Sequence, residues 1–195
     1  GRTDAGVHAN GQTATVVLSG QVEDGFFTEK INSRLPGDIR ILDAELVRNG
    51  FHARKSAVGK RYIYQLDLAE KPDVFTRRYT YHFPQQLDLE AMRKAAKLLT
   101  GTYEFAGYTD KKDEKSTKRT IYAIMICGQG SKVSIQYEGT GFLYHMVRIL
   151  TGTLLEVGTG ARSIESVKEP LKSKDRSQAG FLAPARGLFL DEVYY

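Results

Sequence analysis

The stretch Lys60-Arg61-Tyr62-Ile63-Tyr64-Gln65-Leu66-Asp67-Leu68 decides the fold class. Tyr62, Tyr64, Leu66 and Leu68 fall on one face, while Arg61, Gln65 and Asp67 fall on the other. That period of two belongs to a half-buried strand. Downstream the period changes. Phe142, Leu143, Met146, Val147, Leu150, Leu154 and Val157 recur at helical spacing and Gly158 follows, which predicts a strongly apolar helix over Phe142 to Val157. Between the two, Leu87 to Thr100 reads as an amphipathic helix. Asp88 suits its N-cap, Leu87 and Met92 form a hydrophobic staple, and Gly101 lies just past its end.

Working outward, Thr120 to Cys127 and Ser131 to Glu138 form an expected hairpin around Gly128-Gln129-Gly130. Gln12 to Leu18, rich in Thr and Val, and Asp38 to Val47 are expected strands. Phe26 to Leu35 is an expected short helix ended by Pro36-Gly37, and Ile164 to Leu171 another, which Pro170 disfavours near its end. Gly187 to Tyr195 closes the chain as a strand. Without steady β-α-β alternation, this order predicts an α+β fold with a mainly antiparallel sheet flanked by helices. Residues 1–195 are read as one region, with a subdivision near 70–85 as the candidate boundary.

The chain has 195 residues and a net charge of +5, which favours a polyanionic partner, either nucleic acid or an acidic membrane surface. Its single cysteine, Cys127, rules out an intrachain disulfide framework and fits a reducing, cytoplasmic setting. No apolar run reaches the ~18 residues of a membrane span. His8, His52, His82 and His145 lack metal-ligand spacing, and there is neither a phosphate-binding loop nor a dinucleotide fingerprint.

The segment GRTDAGVHANGQ, Gly1 to Gln12, sets Arg2, Thr3, Asp4 and His8 among three glycines. An aspartate in such a loop is either an Asx-turn residue, the commoner case, or an exposed nucleophile or base. Arg148 sits inside the most apolar helix, where a guanidinium must be paired or reach water. A structural ion pair and a catalytic pair both satisfy that demand. Tyr62 and Tyr64 read first as core residues and second as rings that stack on a base. Lys111 to Arg119, KKDEKSTKR, reads as a solvated loop or as a set of phosphate contacts.

Taken in order, five segments resemble the TruA family of tRNA pseudouridine synthases: GRTDAGVHANGQ, NSRLPGDI (Asn32 to Ile39), FHARKSAVGKRYIYQL (Phe51 to Leu66), GFLYHMVRILTGTLLEVG (Gly141 to Gly158) and APARGLFLDEVYY (Ala183 to Tyr195). The resemblance implies the pseudouridine synthase fold and isomerisation of uridine at positions 38, 39 and 40 of the tRNA anticodon arm. Asp4 then aligns with the catalytic aspartate, Arg148 with its basic partner, Tyr62 with the tyrosine that stacks on the target base, and Arg2 with an arginine that helps hold the flipped nucleotide. It further implies a cytoplasmic homodimer acting on the anticodon stem-loop, with no metal or organic cofactor.

The family pattern includes an early strand and a Gly-Trp segment ahead of the catalytic loop. This stretch opens inside that loop and has no Trp, so an amino-terminally truncated chain with weak or no turnover is expected. Two other classes compete: an RNA-binding protein without catalysis, using Tyr62, Tyr64 and the basic loop, and a hydrolase using Asp4 as nucleophile.

Overall fold

The computed structural model describes residues 2–20, 25–111 and 116–195. The chain forms two compact units, one of residues 1–12 with 57–195 and one of residues 13–56. Residues 70–85 lie within the first.

In the first unit the alternating stretch becomes a central strand, β2 (Gly59–Asp67), with Tyr62, Tyr64 and Leu66 buried as its periodicity requires. It runs antiparallel to β6 (Lys132–Gly139) on one side and β7 (Leu188–Tyr194) on the other. The hairpin partner of β6 is β5 (Lys118–Gln129), longer than its apolar run indicated. Gly130 opens the two-residue turn with φ 58°, the positive value that a tight hairpin turn takes at its first central position. With β1 (His8–Ala9) and β4 (Gly101–Glu104), the sheet order is β1-β7-β2-β6-β5-β4, and β3 (Tyr81–His82) pairs with the end of β2.

The α+β class holds, but the sheet is mixed. β1 runs parallel to β7 and β3 parallel to β2, while the other pairings are antiparallel. Two-residue strands are too short to leave an alternation in the sequence, so the parallel edges went unseen. At Arg61/Tyr62 the register against β7 shifts, leaving Asp191 as an extra residue on β7. Such bulges bend a strand and re-aim its side chains. Here Asp191 accepts from Arg61 Nε at 2.6 Å and from Asn10 Nδ2 at 3.1 Å, which ties the amino-terminal loop to the sheet.

Helix α2 (Leu89–Leu99) packs on β5 and buries Met92, Ala95, Ala96 and Leu99. Its expected N-cap is present, with the Asp88 carboxylate accepting from Ala91 N at 2.9 Å. Leu87 and Met92 both pack at Gly158. Helix α3 (Met146–Gly158) lies against α2 and is buried on nearly every side. It begins four residues later than its hydrophobic pattern indicated, because His145, its N-cap, is left-handed at φ 62°. A helical turn cannot run through that conformation. The Thr151 hydroxyl meets the Tyr137 hydroxyl at 2.8 Å, joining α3 to β6 inside the core. Pro170 does not end a helix as expected. It sits in the first turn of the short helix α4 (Glu169–Ser173), after a 3-10 turn over Glu165–Lys168, where its missing N–H has no helical acceptor to lose.

In the second unit the short helix α1 (Phe26–Asn32) starts where its pattern indicated and ends three residues earlier, and none of its residues is buried. The Asn32 amide then clamps Ile41, accepting from its N at 2.8 Å and donating to its O at 2.9 Å. The strands expected over Gln12 to Leu18 and Asp38 to Val47 do not form among the described residues. Val17, Leu42 and Leu46 are instead largely exposed. Alternation specifies a strand only when a neighbour takes up its ladder hydrogen bonds. Of the basic stretch Lys111 to Arg119, residues 112–115 lie outside the described residues, and Lys118 and Arg119 begin β5.

Candidate active site

The site is built on a turn, a helix start and a strand, all within the first unit. Asp4 opens the turn, which its backbone carbonyl closes by accepting from Val7 N at 3.1 Å. Gly6 takes φ 78°, the value required at the third position of a turn of this kind. The turn therefore does not use the Asp4 side chain. The loop beyond is pinned to β7, where Asn10 N and Gly11 N both donate to Leu190 O. Gly11 passes so close to β7 that a Cβ there would lie 2.4 Å from Asp191 O.

The freed Asp4 carboxylate meets Arg148, whose Nη1 donates to Oδ2 at 3.0 Å. Arg148 is the third residue of α3, and its side chain is only 12% exposed. Its Nε donates to Ala183 O at 2.7 Å, so the guanidinium is held on two sides. The demand for a partner that the sequence imposed on this arginine is met by pairing, not by reaching water.

Tyr62 borders the same carboxylate. Its ring is 8% exposed and packs edge-on against Phe142, with centroids 5.4 Å apart. Burial first, and then the nearby Asp4 charge, push its hydroxyl up to about 12. Tyr64, two residues on, is fully buried and donates to Pro184 O at 2.7 Å, a core role. Arg2 is not brought to the pair. It is exposed and has no polar partner among the described residues.

Two further side chains converge here that the sequence reading did not select. His145 Nε2 lies 3.5 Å from Asp4 Oδ2, and its Nδ1 lies 2.6 Å from Asp110 Oδ2. Asp110 Oδ1 in turn accepts from Arg176 Nε at 2.8 Å. Burial alone would raise the Asp110 carboxyl. The hydrogen bonds from His145 and Arg176 outweigh it and hold the group below the usual carboxylate range. His145 had a sequence signal, three residues before Arg148 in the GFLYHMVR segment. Asp110, in an irregular segment beside the basic stretch, had none.

Beside the turn, a cavity of about 580 Å³ is lined in part by Gly6, His8, Arg77, Arg78 and Arg186. Among the described residues no cluster of three His, Cys, Asp or Glu side chains could hold a metal ion, and no helix is long and apolar enough to cross a membrane.

Comparison with known proteins gives concordant similarities. Residues 95–195 match the family model described as tRNA pseudouridine synthase. The whole chain aligns with proteins named tRNA pseudouridine synthase A. It is 43% identical over 196 residues to that of Geobacillus sp. (strain WCH70), 44% over 196 to that of Bacillus subtilis (strain 168) and 40% over 195 to that of Clostridium kluyveri. The chain spans 79%, 79% and 80% of the length of those relatives, respectively.

Proposed function

The chain belongs to the tRNA pseudouridine synthase family, an isomerase family, and from that premise we propose that it converts uridine to pseudouridine at positions 38, 39 and 40 of the tRNA anticodon arm, with Asp4 as the catalytic nucleophile. The observation that carries the reading is the Asp4–Arg148 ion pair at 3.0 Å with the Tyr62 ring beside it.

The reaction breaks the N1–C1′ bond, turns the base and joins C5 to C1′, and the proton lost from C5 is balanced by one gained at N1. It is redox-neutral and adds no water, so the groups required are a carboxylate, a surface for the base and a low-polarity pocket. A uridine in a stem or loop must leave its stack before a side chain can reach it, at a cost of a few kcal/mol. Tyr62 offers a π face for the extruded base, and stacking on an aromatic ring is worth roughly 1–3 kcal/mol. Asp4 acts at C1′ or C6 of the nucleotide, or on a sugar proton. Arg148, fixed by Ala183 O, orients the carboxylate and balances its charge where little water remains. By the family resemblance Arg2, exposed next to the turn, is the residue to hold the flipped nucleotide, and the arginines of the neighbouring cavity suit backbone phosphates. The anticodon stem-loop is the proposed partner, and the acting form a cytoplasmic homodimer.

The test is to delete the gene that encodes this chain and map pseudouridine in cellular tRNA. The expected result is loss confined to positions 38 to 40, restored by the wild-type gene and not by Asp4→Ala. Restoration by Asp4→Ala overturns the role of Asp4. Loss elsewhere, or none, overturns the choice of site. Free uracil released from RNA would show hydrolysis in place of isomerisation.

A further inference from the structure

The Asp4 carboxylate is approached from two sides, and the mechanism above uses only one. Arg148 Nη1 and His145 Nε2 both address Oδ2, at 3.0 and 3.5 Å. Oδ1 has no polar partner among the described residues. A carboxylate gripped through one oxygen presents the other, and the direction in which Oδ1 points depends on how Oδ2 is held.

His145 is itself held more tightly than a surface histidine needs to be. Its backbone is left-handed at φ 62°, a conformation uncommon outside glycine that histidine takes more readily than most side chains. Its ring stacks on Tyr144 with centroids 3.7 Å apart. At 2.6 Å from a carboxylate oxygen, Nδ1 must carry a hydrogen, and Nε2 is turned to a second carboxylate, that of Asp4. Asp110, the acceptor, is fixed by Arg176 Nε at 2.8 Å, and Arg176 Nη1 is fixed by Gly180 O at 3.0 Å. Gly180 N donates to Thr153 Oγ1 on α3 at 2.9 Å, so the chain of contacts ends on the helix that carries Arg148.

We propose that His145 is a positioning residue for Asp4. Held by Asp110 and Arg176, its ring fixes Oδ2 from the side not covered by Arg148 and presents Oδ1 to the nucleotide. The proposal rests on Asp4 being the reacting carboxylate. The charged groups facing the ring are Asp4, Asp110 and Arg148, with Arg176 behind Asp110. When Nε2 is protonated it attracts Oδ2.

The experiment compares His145→Phe, His145→Gln and Asp110→Asn, purified from the gene that encodes this chain, with unmodified anticodon stem-loop RNA as substrate. His145→Phe keeps the stack and loses the donor. Its kcat should fall about 10- to 100-fold while RNA affinity stays within about twofold. His145→Gln, whose amide can still donate towards Asp4, should recover part of the loss. Asp110→Asn should fall between them. A His145→Phe enzyme with wild-type kcat overturns the proposal and leaves the proposed function intact.

A crystal structure of His145→Phe supplies a readout that does not need turnover. The Asp4 carboxylate should rotate about its terminal bond, changing which oxygen faces Arg148. An unmoved carboxylate overturns the proposal even if the wild-type protein proves not to make pseudouridine, a result that would overturn the functional reading separately.

Discussion

Asp4 and Arg148, 144 positions apart in the chain, meet at 3.0 Å with their side chains 22% and 12% exposed. The guanidinium spends its second contact on Ala183 O, so the pair is also part of what holds α3 to the segment before β7. Arg148→Lys keeps the charge but not the fork, and an ammonium cannot address both acceptors in one geometry. We expect Arg148→Lys and Arg148→Ala to lower kcat by at least about 100-fold, in the range seen when a preorganised electrostatic partner is removed. Asp4→Asn should leave the fold intact at a cost of about 1–3 kcal/mol, the penalty for a polar group stripped of its partner. Single-turnover kinetics and urea unfolding separate the two effects.

Tyr62 tests the stacking role. Its hydroxyl donates no hydrogen bond among the described residues, so Tyr62→Phe should change stability little and retain most RNA affinity. Tyr62→Ala removes the ring and should cost about 3–5 kcal/mol of stability by leaving a cavity. It should also weaken binding of the flipped base by roughly 1–3 kcal/mol. Equal kcat losses in the Phe and Ala variants would sink the stacking role.

The same hydroxyl makes a prediction about alkaline pH. Its value is raised to about 12, by burial first and by the Asp4 charge second. A raised group favours its protonated form in the folded state. Its contribution to stability is therefore complete below the ordinary tyrosine value of about 10 and is lost as pH rises through the folded one. The difference in tyrosinate absorbance between wild type and Tyr62→Phe should show this residue still protonated at pH 11, where exposed tyrosines have ionised.

What the sequence revealed follows from where each signal resides. The strand at Lys60 to Leu68 and the helix at Leu87 to Thr100 were legible because their burial repeats along the chain. Arg148 was legible as a problem, a charge among apolar neighbours, but its solution lay 144 positions away. A turn at Asp4 was expected as an Asx-turn, from the turn preference of aspartate, yet only coordinates show that the backbone carbonyl closes it and leaves the carboxylate to Arg148. Asp110 was invisible because nothing in the residues beside it distinguishes it from a solvated acid. The late start of α3 was missed because apolar periodicity continues through Leu143 while the backbone turns at His145.

Asp67 gives the acid-side counterpart. It is 1% exposed at the end of β2. Burial would raise its carboxyl, but the N–H groups of Asp73 and Ala69 and the Lys132 ammonium outweigh that and lower it. A lowered group contributes stability above the unfolded value of about 3.9, and that stability is lost as pH falls through the folded one. Asp67→Ala should cost about 2–4 kcal/mol at pH 7, because two backbone donors lose their acceptor. The gap from wild type should narrow below about pH 4 as the wild-type carboxylate is protonated. A gap that stays constant down to pH 2 would show that the charge is not what stabilises this corner.

Gly152 tests the packing that presents Arg148. It lies one helical turn beyond Arg148 on α3, where a Cβ would sit 1.9 Å from Phe181 O and 2.8 Å from Phe181 C. Those atoms are backbone, so no side-chain rotation relieves the overlap, and either α3 or the 180–183 segment must move. That segment carries Ala183 O, the second acceptor of Arg148, and Gly180 N, which is bonded to Thr153 Oγ1. Gly152→Ala would raise helix propensity by up to ~1 kcal/mol in an open helix. Here we expect destabilisation of about 3 kcal/mol or more, at the upper end of overpacking costs, read as a lower urea midpoint. A lower kcat should accompany it, because displacing Ala183 loosens the guanidinium that faces Asp4. An alanine variant as stable as wild type would mean that α3 and this segment are not in the close contact that fixes Arg148.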